Sequence, residues 1–287
     1  METRGAAAGD RMIAFAILML MLPVGLLVVA LIGAWLEGRR SEWSFGVGQV
    51  VSNTFAGIGG APLLFLVTSF VLNALPQLGM SSLAGGMNML EVQMMQYRSG
   101  NLMVVQALFG VLAWPLCQMI LIAAAVTTLD GRSVVPRDVL IHALRRTPIA
   151  IVVTILFALG MLLGLSVLIV PGLLLLLTWF VALPAVAVED ATILGSFGRS
   201  SELMRGMRWR LLVLLLLIGI LWMVVSVLAG VLTVAMRGTG LLGMAAVNLV
   251  SATLLGTIPP ALLAAVYHEV RTAKGGIGTR DLEAVFA

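Results

Sequence analysis

The chain has 287 residues, of which 61% are hydrophobic and only 10% charged, against about a quarter charged in ordinary globular domains. Apolar runs in that abundance cannot be hidden in a water-soluble core, whereas a bilayer accommodates them because a helix satisfies its own backbone hydrogen bonds there. The formal charge of +4 is carried by arginines scattered between the runs, which describes loops at lipid headgroups and argues against a nucleic-acid-binding domain.

The first run, Met12 to Trp35, follows Arg4 and Arg11. It is longer than the apolar core of a secretory signal, about 7–15 residues, and no small-residue cleavage site precedes Glu37. A retained transmembrane helix is expected, kinked at Pro23. Six further spans are predicted at about 61–80, 102–128, 149–170, 172–188, 211–236 and 241–267. Thr147-Pro148 reads as an N-cap followed by proline at the first helical position. Pro171-Gly172 is expected to form a tight turn that divides one apolar stretch into two helices. Pro259-Pro260 removes two backbone donors and is expected to kink or unwind the last span.

Basic residues on alternate sides of the spans set the orientation. One side receives Arg39 and Arg40; Arg132, Arg137, Arg145 and Arg146; Arg199, Arg205, Arg208 and Arg210; then Arg271, Lys274 and Arg280. The other keeps Arg4, Arg11, Arg98 and Arg237. Thirteen against four places the carboxyl terminus inside, on the cytoplasmic face.

Three inside segments look like amphipathic helices. Val47, Val50, Val51, Thr54, Phe55 and Ile58 recur at three- and four-residue spacing before Gly59-Gly60. Pro136 to Arg146 carries Val139, Leu140, Ala143 and Leu144, while Ile193, Leu194, Phe197, Ser201 and Met204 share one face of a third segment. Each leads into a pair of spans, so the fold class expected is all-α: a polytopic helical membrane protein. Its six-helix core comprises three hairpins plus an extra N-terminal helix, with inside amphipathic helices at the interface. Residues 1–43 form the tail and extra helix, and residues 44–287 the six-helix membrane domain with a cytoplasmic C-terminal tail.

Chemistry is sparse. Cys117, the sole cysteine, excludes an intramolecular disulfide and thiolate clusters, and His142 and His268 are the only histidines. No ionisable residue falls inside an assigned span, where it would be costly and functional. Ser166 and Ser226 have no adjacent base, and no ligand spacing suits a metal. An enzyme is therefore not expected, and neither is a cofactor. Gly160-x-x-x-Gly164 fits a small-residue helix contact, read first as intrachain packing. Trp114 and Trp222 suit packing near span centres, while Trp35, Trp179 and Trp209 suit interfaces. Arg199, Arg205, Arg208 and Arg210, with Arg145 and Arg146, form the candidate contact site for anionic phospholipid.

Pro171-Gly172, Pro184 with Glu189 beyond it, and Arg199-Ser200-x-x-Leu203-x-x-Gly206-x-x-Trp209 carry a resemblance, joined by Tyr267-x-x-x-Arg271-x-x-Lys274 and Asp281-Leu282-Glu283. From about Ser44 onward the chain resembles the YciC-like bacterial integral membrane proteins, related to the membrane domain of some glycerophosphodiester phosphodiesterases. It departs from their pattern at Gly275-Gly276, where the family has an acidic residue beside the lysine. The resemblance implies a six-helix core in a bacterial inner membrane. It supplies no catalytic residues, since the phosphodiesterase chemistry resides in a separate soluble domain. The function expected is a non-enzymatic inner-membrane protein that organises or senses lipid, as an accessory subunit or scaffold. Its partners would be membrane phospholipids with anionic headgroups on the cytoplasmic side. The alternative is a transporter or channel for a small or lipidic molecule.

Overall fold

The computed structural model describes residues 25, 27–36, 46–77, 100–167, 169–235 and 240–286. Among them there is no strand. The helices are α1 (Leu27–Leu36), α2 (Val47–Gly60), α3 (Pro62–Gln77), α4 (Gly100–Leu129), α5 (Pro136–Val167), α6 (Ile169–Trp179), α7 (Ala182–Val188), α8 (Ile193–Met204), α9 (Arg208–Ala235) and α10 (Gly240–Phe286). Five helical segments are long and apolar enough to cross a membrane, or six if the bent α2–α3 pair is one crossing. That is the make-up of a multi-pass helical membrane protein. Met12 to Trp35 lies largely outside the described residues, as do Arg39, Arg40, Arg98 and Arg237.

Contacts divide the chain into two units, Met1–Phe45 with Gly206–Ser226, and Gly46–Arg205 with Val227–Ala287. In the first, α1 meets α9 where Gly33 faces the Trp209 ring. A Cβ at position 33 would lie 2.8 Å from Trp209 Cγ, so glycine lets the indole lie against the α1 backbone.

In the second unit the C-terminal half of α4 is central. Met119 through Val126 are all buried, including the run Ala123-Ala124-Ala125, whose small side chains let neighbouring backbones approach. Gly57 of α2 sits over Ala125, where a Cβ would come within 3.2 Å of the alanine methyl. The other central surface is α10 from Ala261 to Val270, which packs on α2, α3 and α4.

Several expectations need correcting. Thr147-Pro148 starts no helix: α5 runs unbroken through it, joining the Pro136–Arg146 segment to the span. The Thr147 hydroxyl instead donates to the Ala143 carbonyl at 2.7 Å. Pro171-Gly172 forms no turn between helices: it lies inside α6, near the start of its described residues, where a proline's missing N–H has no intrahelical partner to lose. The predicted span 172–188 corresponds to one candidate crossing, Val170–Val188, within which a turn at Phe180-Val181 separates α6 from α7. The helix also continues through Pro259-Pro260 without unwinding. By contrast, α2 forms where the apolar spacing placed a helix and meets α3 at 87°. Its buried positions are Val50, Thr54 and Gly57, with Val51 and Phe55 outward. In α8 the buried face is centred on Ser196, Ser200 and Leu203, and Leu194 is exposed.

α5 and α6 form an antiparallel hairpin within the chain. Gly160 faces Trp179 and Gly164 faces Gly172, so the small-residue pair serves intrachain packing.

Candidate functional site

At one end of the second unit, polar side chains from separate segments interlock. Asp130, just after α4, accepts from Arg271 of α10 at 2.6 Å and from Arg132 at 2.8 Å, with His268 Nε2 at 3.6 Å. Glu189, following α7, accepts the Tyr267 hydroxyl at 2.6 Å and Arg199 Nε at 2.8 Å. Arg199 reaches on to Glu202 at 3.2 Å, and the Lys274 ammonium donates to the Glu202 carbonyl. Arg271 also lies over the Tyr267 ring, 5.5 Å from its centroid. Asn53 of α2 donates to Glu269 at 3.4 Å. Two carboxylates, Asp130 and Glu189, thus tie α10 to the end of α4 and to the start of the α7–α8 loop.

Local structure sets each position. α8 begins with Thr192, whose hydroxyl accepts from the Gly195 amide at 3.2 Å, an N-cap that fixes the turn from which Arg199 projects. Asp190 holds φ +55°, a left-handed conformation that aspartate tolerates. Arg146 grips it twice, through the carboxylate at 2.5 Å and the carbonyl at 3.3 Å. The Glu189 hydrogen bond is the main cause that raises the Arg199 pKa above its ordinary value, so this guanidinium is a fixed charge.

Beside the layer, Ser200 repairs the break between α6 and α7. Its buried hydroxyl accepts the Val181 amide at 3.2 Å and donates to the Thr178 carbonyl at 2.8 Å. Ser200→Ala should leave that amide unpartnered and destabilise the protein by about 1–3 kcal/mol. Ser201→Ala, which removes a bond to the exposed Gly198 carbonyl, should stay within about 0.5 kcal/mol. Unfolding midpoints in detergent check the difference, and equal midpoints would deny the Ser200 bridge its role.

The six arginines singled out in the sequence do not form one cluster of equivalent residues. Arg199 and Arg146 are committed to carboxylates. Arg145 and Arg205 are exposed, with no carboxylate partner among the described residues. Arg208 and Arg210 open α9 in the other unit, and Arg208 Nε is buried with no hydrogen-bond partner among the described residues. What the sequence reading missed is the acidic half, Asp130, Glu189 and Glu202. The signal was available: each lies close to arginines predicted to share its side.

The arrangement holds segments together and offers no group of three or more metal-ligating side chains among the described residues. Comparison with protein-family models, with curated proteins and with solved structures gives no match.

Proposed function

We propose that the protein is a non-enzymatic membrane protein that organises or senses lipid in a bacterial inner membrane, as an accessory subunit or scaffold. The observation that carries this reading is the polar layer. Residues from loops that the charge count assigned to one side, Arg132, Arg146, Arg199, Arg271 and Lys274, meet there in shared contacts. The positive-inside rule makes that end cytoplasmic, together with the carboxyl terminus. Three hairpins, with α2, α8 and the N-terminal part of α5 at the interface and Met12 to Trp35 as an added span, complete the proposed arrangement. The resemblance to the YciC-like proteins agrees with it, since five of its residues, Glu189, Arg199, Tyr267, Arg271 and Lys274, fall in the layer.

With Arg146 and Arg199 occupied by carboxylates, Arg145 and Arg205 are the side chains available to anionic headgroups. Arg145→Gln/Arg205→Gln leaves the ion pairs of the layer intact. At about 1 kcal/mol per basic residue near the surface, anionic lipid retained on purification should fall about fivefold for each arginine, with neutral lipid unchanged. A cysteine at Gly131 in a Cys117→Ala background, unlabelled by impermeant reagent in intact cells, certifies the orientation of the protein compared. Unchanged anionic-lipid retention in correctly oriented protein would refute the lipid reading.

A second reading, a transporter or channel for a small or lipidic molecule, has one supporting feature. α3 contains a π-helical turn at Phe70–Ala74, a distortion frequent at functional sites. There Ser69 donates to the Thr253 carbonyl at 2.8 Å and Asn73 to the Ala252 carbonyl at 3.1 Å, both on α10. Solute flux across proteoliposomes separates the two readings.

A further inference from the structure

The loop between α4 and α5 borders a cleft of about 280 Å³. It lies between the candidate spans Leu108–Leu129 and Pro136–Ser166, which is where a spanning chain meets headgroups. Small-molecule sites usually measure about 300–1,000 Å³, so this one suits a headgroup-sized ligand. Its polar lining is Thr127, whose hydroxyl is given to the Ala123 carbonyl at 2.7 Å, with Arg132, Ser133, Asp138 and His142, and Val126 and Val139 are among its apolar lining.

The polar groups have spare bonding capacity of both signs. Arg132 gives one amino group to Asp130, which it shares with Arg271, and its guanidinium keeps other donors of its five. His142 Nε2 lies 3.0 Å from the Ala187 carbonyl. A carbonyl only accepts, so Nε2 carries the hydrogen and Nδ1 remains for a ligand. The Ser133 hydroxyl and the Asp138 carboxylate have no partner among the described residues. A carboxylate in the first turn of α5 also complements the helix dipole, yet that role does not account for an arginine and a histidine lining the same cleft.

We propose that this cleft binds a zwitterionic phosphate–ammonium group of the phosphoethanolamine type. Arg132, with Ser133, takes the phosphate, and Asp138 takes the ammonium. A headgroup bearing phosphate alone would leave the Asp138 charge unmatched, which sets the preference by charge complementarity. The same chemistry occurs in a membrane phospholipid and in a free phosphoamine. Val126, Val135 and Val139, which line the cleft itself, offer an apolar wall to an acyl chain and favour the lipid. The site involves neither Arg145 nor Arg205 and stands independently of the anionic-lipid reading.

The experiment uses full-length protein in detergent micelles doped with equal phosphatidylethanolamine and phosphatidylglycerol, read by native mass spectrometry, with titration of free O-phosphoethanolamine as a separate arm. Wild-type protein should retain phosphatidylethanolamine in preference. Asp138→Asn, a near-isosteric change, should lower the retention ratio of the two lipids about tenfold, the effect of losing one charge-assisted contact. Arg132→Gln should reduce retention of both. Binding of the free phosphoamine, sensitive to Asp138→Asn and without lipid retention, supports the site and assigns its ligand to the soluble source. Equal retention of both lipids by wild type, a ratio unchanged in Asp138→Asn, or no binding in either arm overturns the proposal.

Discussion

Gly164→Leu should abolish assembly of the protein. A Cβ on Gly164 would lie 2.8 Å from the Gly172 Cα and 3.1 Å from its amide nitrogen. Both obstacles are backbone, so no rotamer change relieves the clash, and α5 and α6 would have to separate along their length. Gly160 adds a second close approach to the Trp179 ring, so the seam cannot simply slide. Overpacking a core typically destabilises by about 1–3 kcal/mol when side chains can yield, and a backbone obstruction belongs above that range. Gly219→Leu is the matched comparison: the same change in an apolar helix, at a glycine with nothing within 4 Å of its Cβ position. Monodisperse yield in detergent, measured by fluorescence-detected gel filtration, should collapse for the first variant and persist for the second. Comparable yields for both would mean that the α5–α6 seam is not as described.

Glu189→Ala should cause the largest loss in the polar layer, because one carboxylate serves both Tyr267 and Arg199. Removing one partner of a buried pair costs about 3–5 kcal/mol. Glu189 and Arg199 are 26% and 36% exposed, so solvent screening reduces the loss to about 1–3 kcal/mol. The two contacts can be apportioned. Tyr267→Phe removes only the hydroxyl, and its effect should shrink in the Glu189→Gln background, giving a coupling of about 1 kcal/mol. Unfolding free energies in mixed micelles supply the cycle, and strictly additive effects would show that the hydroxyl and carboxylate do not act together.

The sequence showed the apolar helices plainly because membrane burial is written into long uninterrupted runs. α2 was legible for a related reason: Val47, Val50, Thr54 and Ile58 mark a helical face before two glycines. The breaks were less legible. Pro171-Gly172 reads as a turn by composition, but proline fits equally well in a first helical turn, and the seam of Gly164 against Gly172 decides between them. Thr147-Pro148 reads as a helix start, yet the Thr147 side chain bonds backward to Ala143 and the helix runs on. The polar layer was half visible. Counting arginines placed their loops on one side, but Asp130 and Glu189 contribute to no topology rule and become partners only when loops far apart in sequence converge. Ser200 was invisible as a bridge, since its role depends on a helix break some twenty residues earlier.

The layer's contacts reach far along the chain. Asn53 and Glu269 are 216 positions apart, Asp130 and Arg271 are 141 apart, and Glu189 and Tyr267 are 78 apart. Every one of these closes on α10. During synthesis from the amino terminus, Asp130 and Glu189 therefore emerge and wait at the membrane surface without their α10 partners until residues 267–271 have left the ribosome. The last helix acts as the keystone of biogenesis, and a nascent chain halted before it would hold Asp130 and Glu189 only through their local arginines, Arg132 and Arg199, leaving the layer open to whatever machinery surveys membrane insertion.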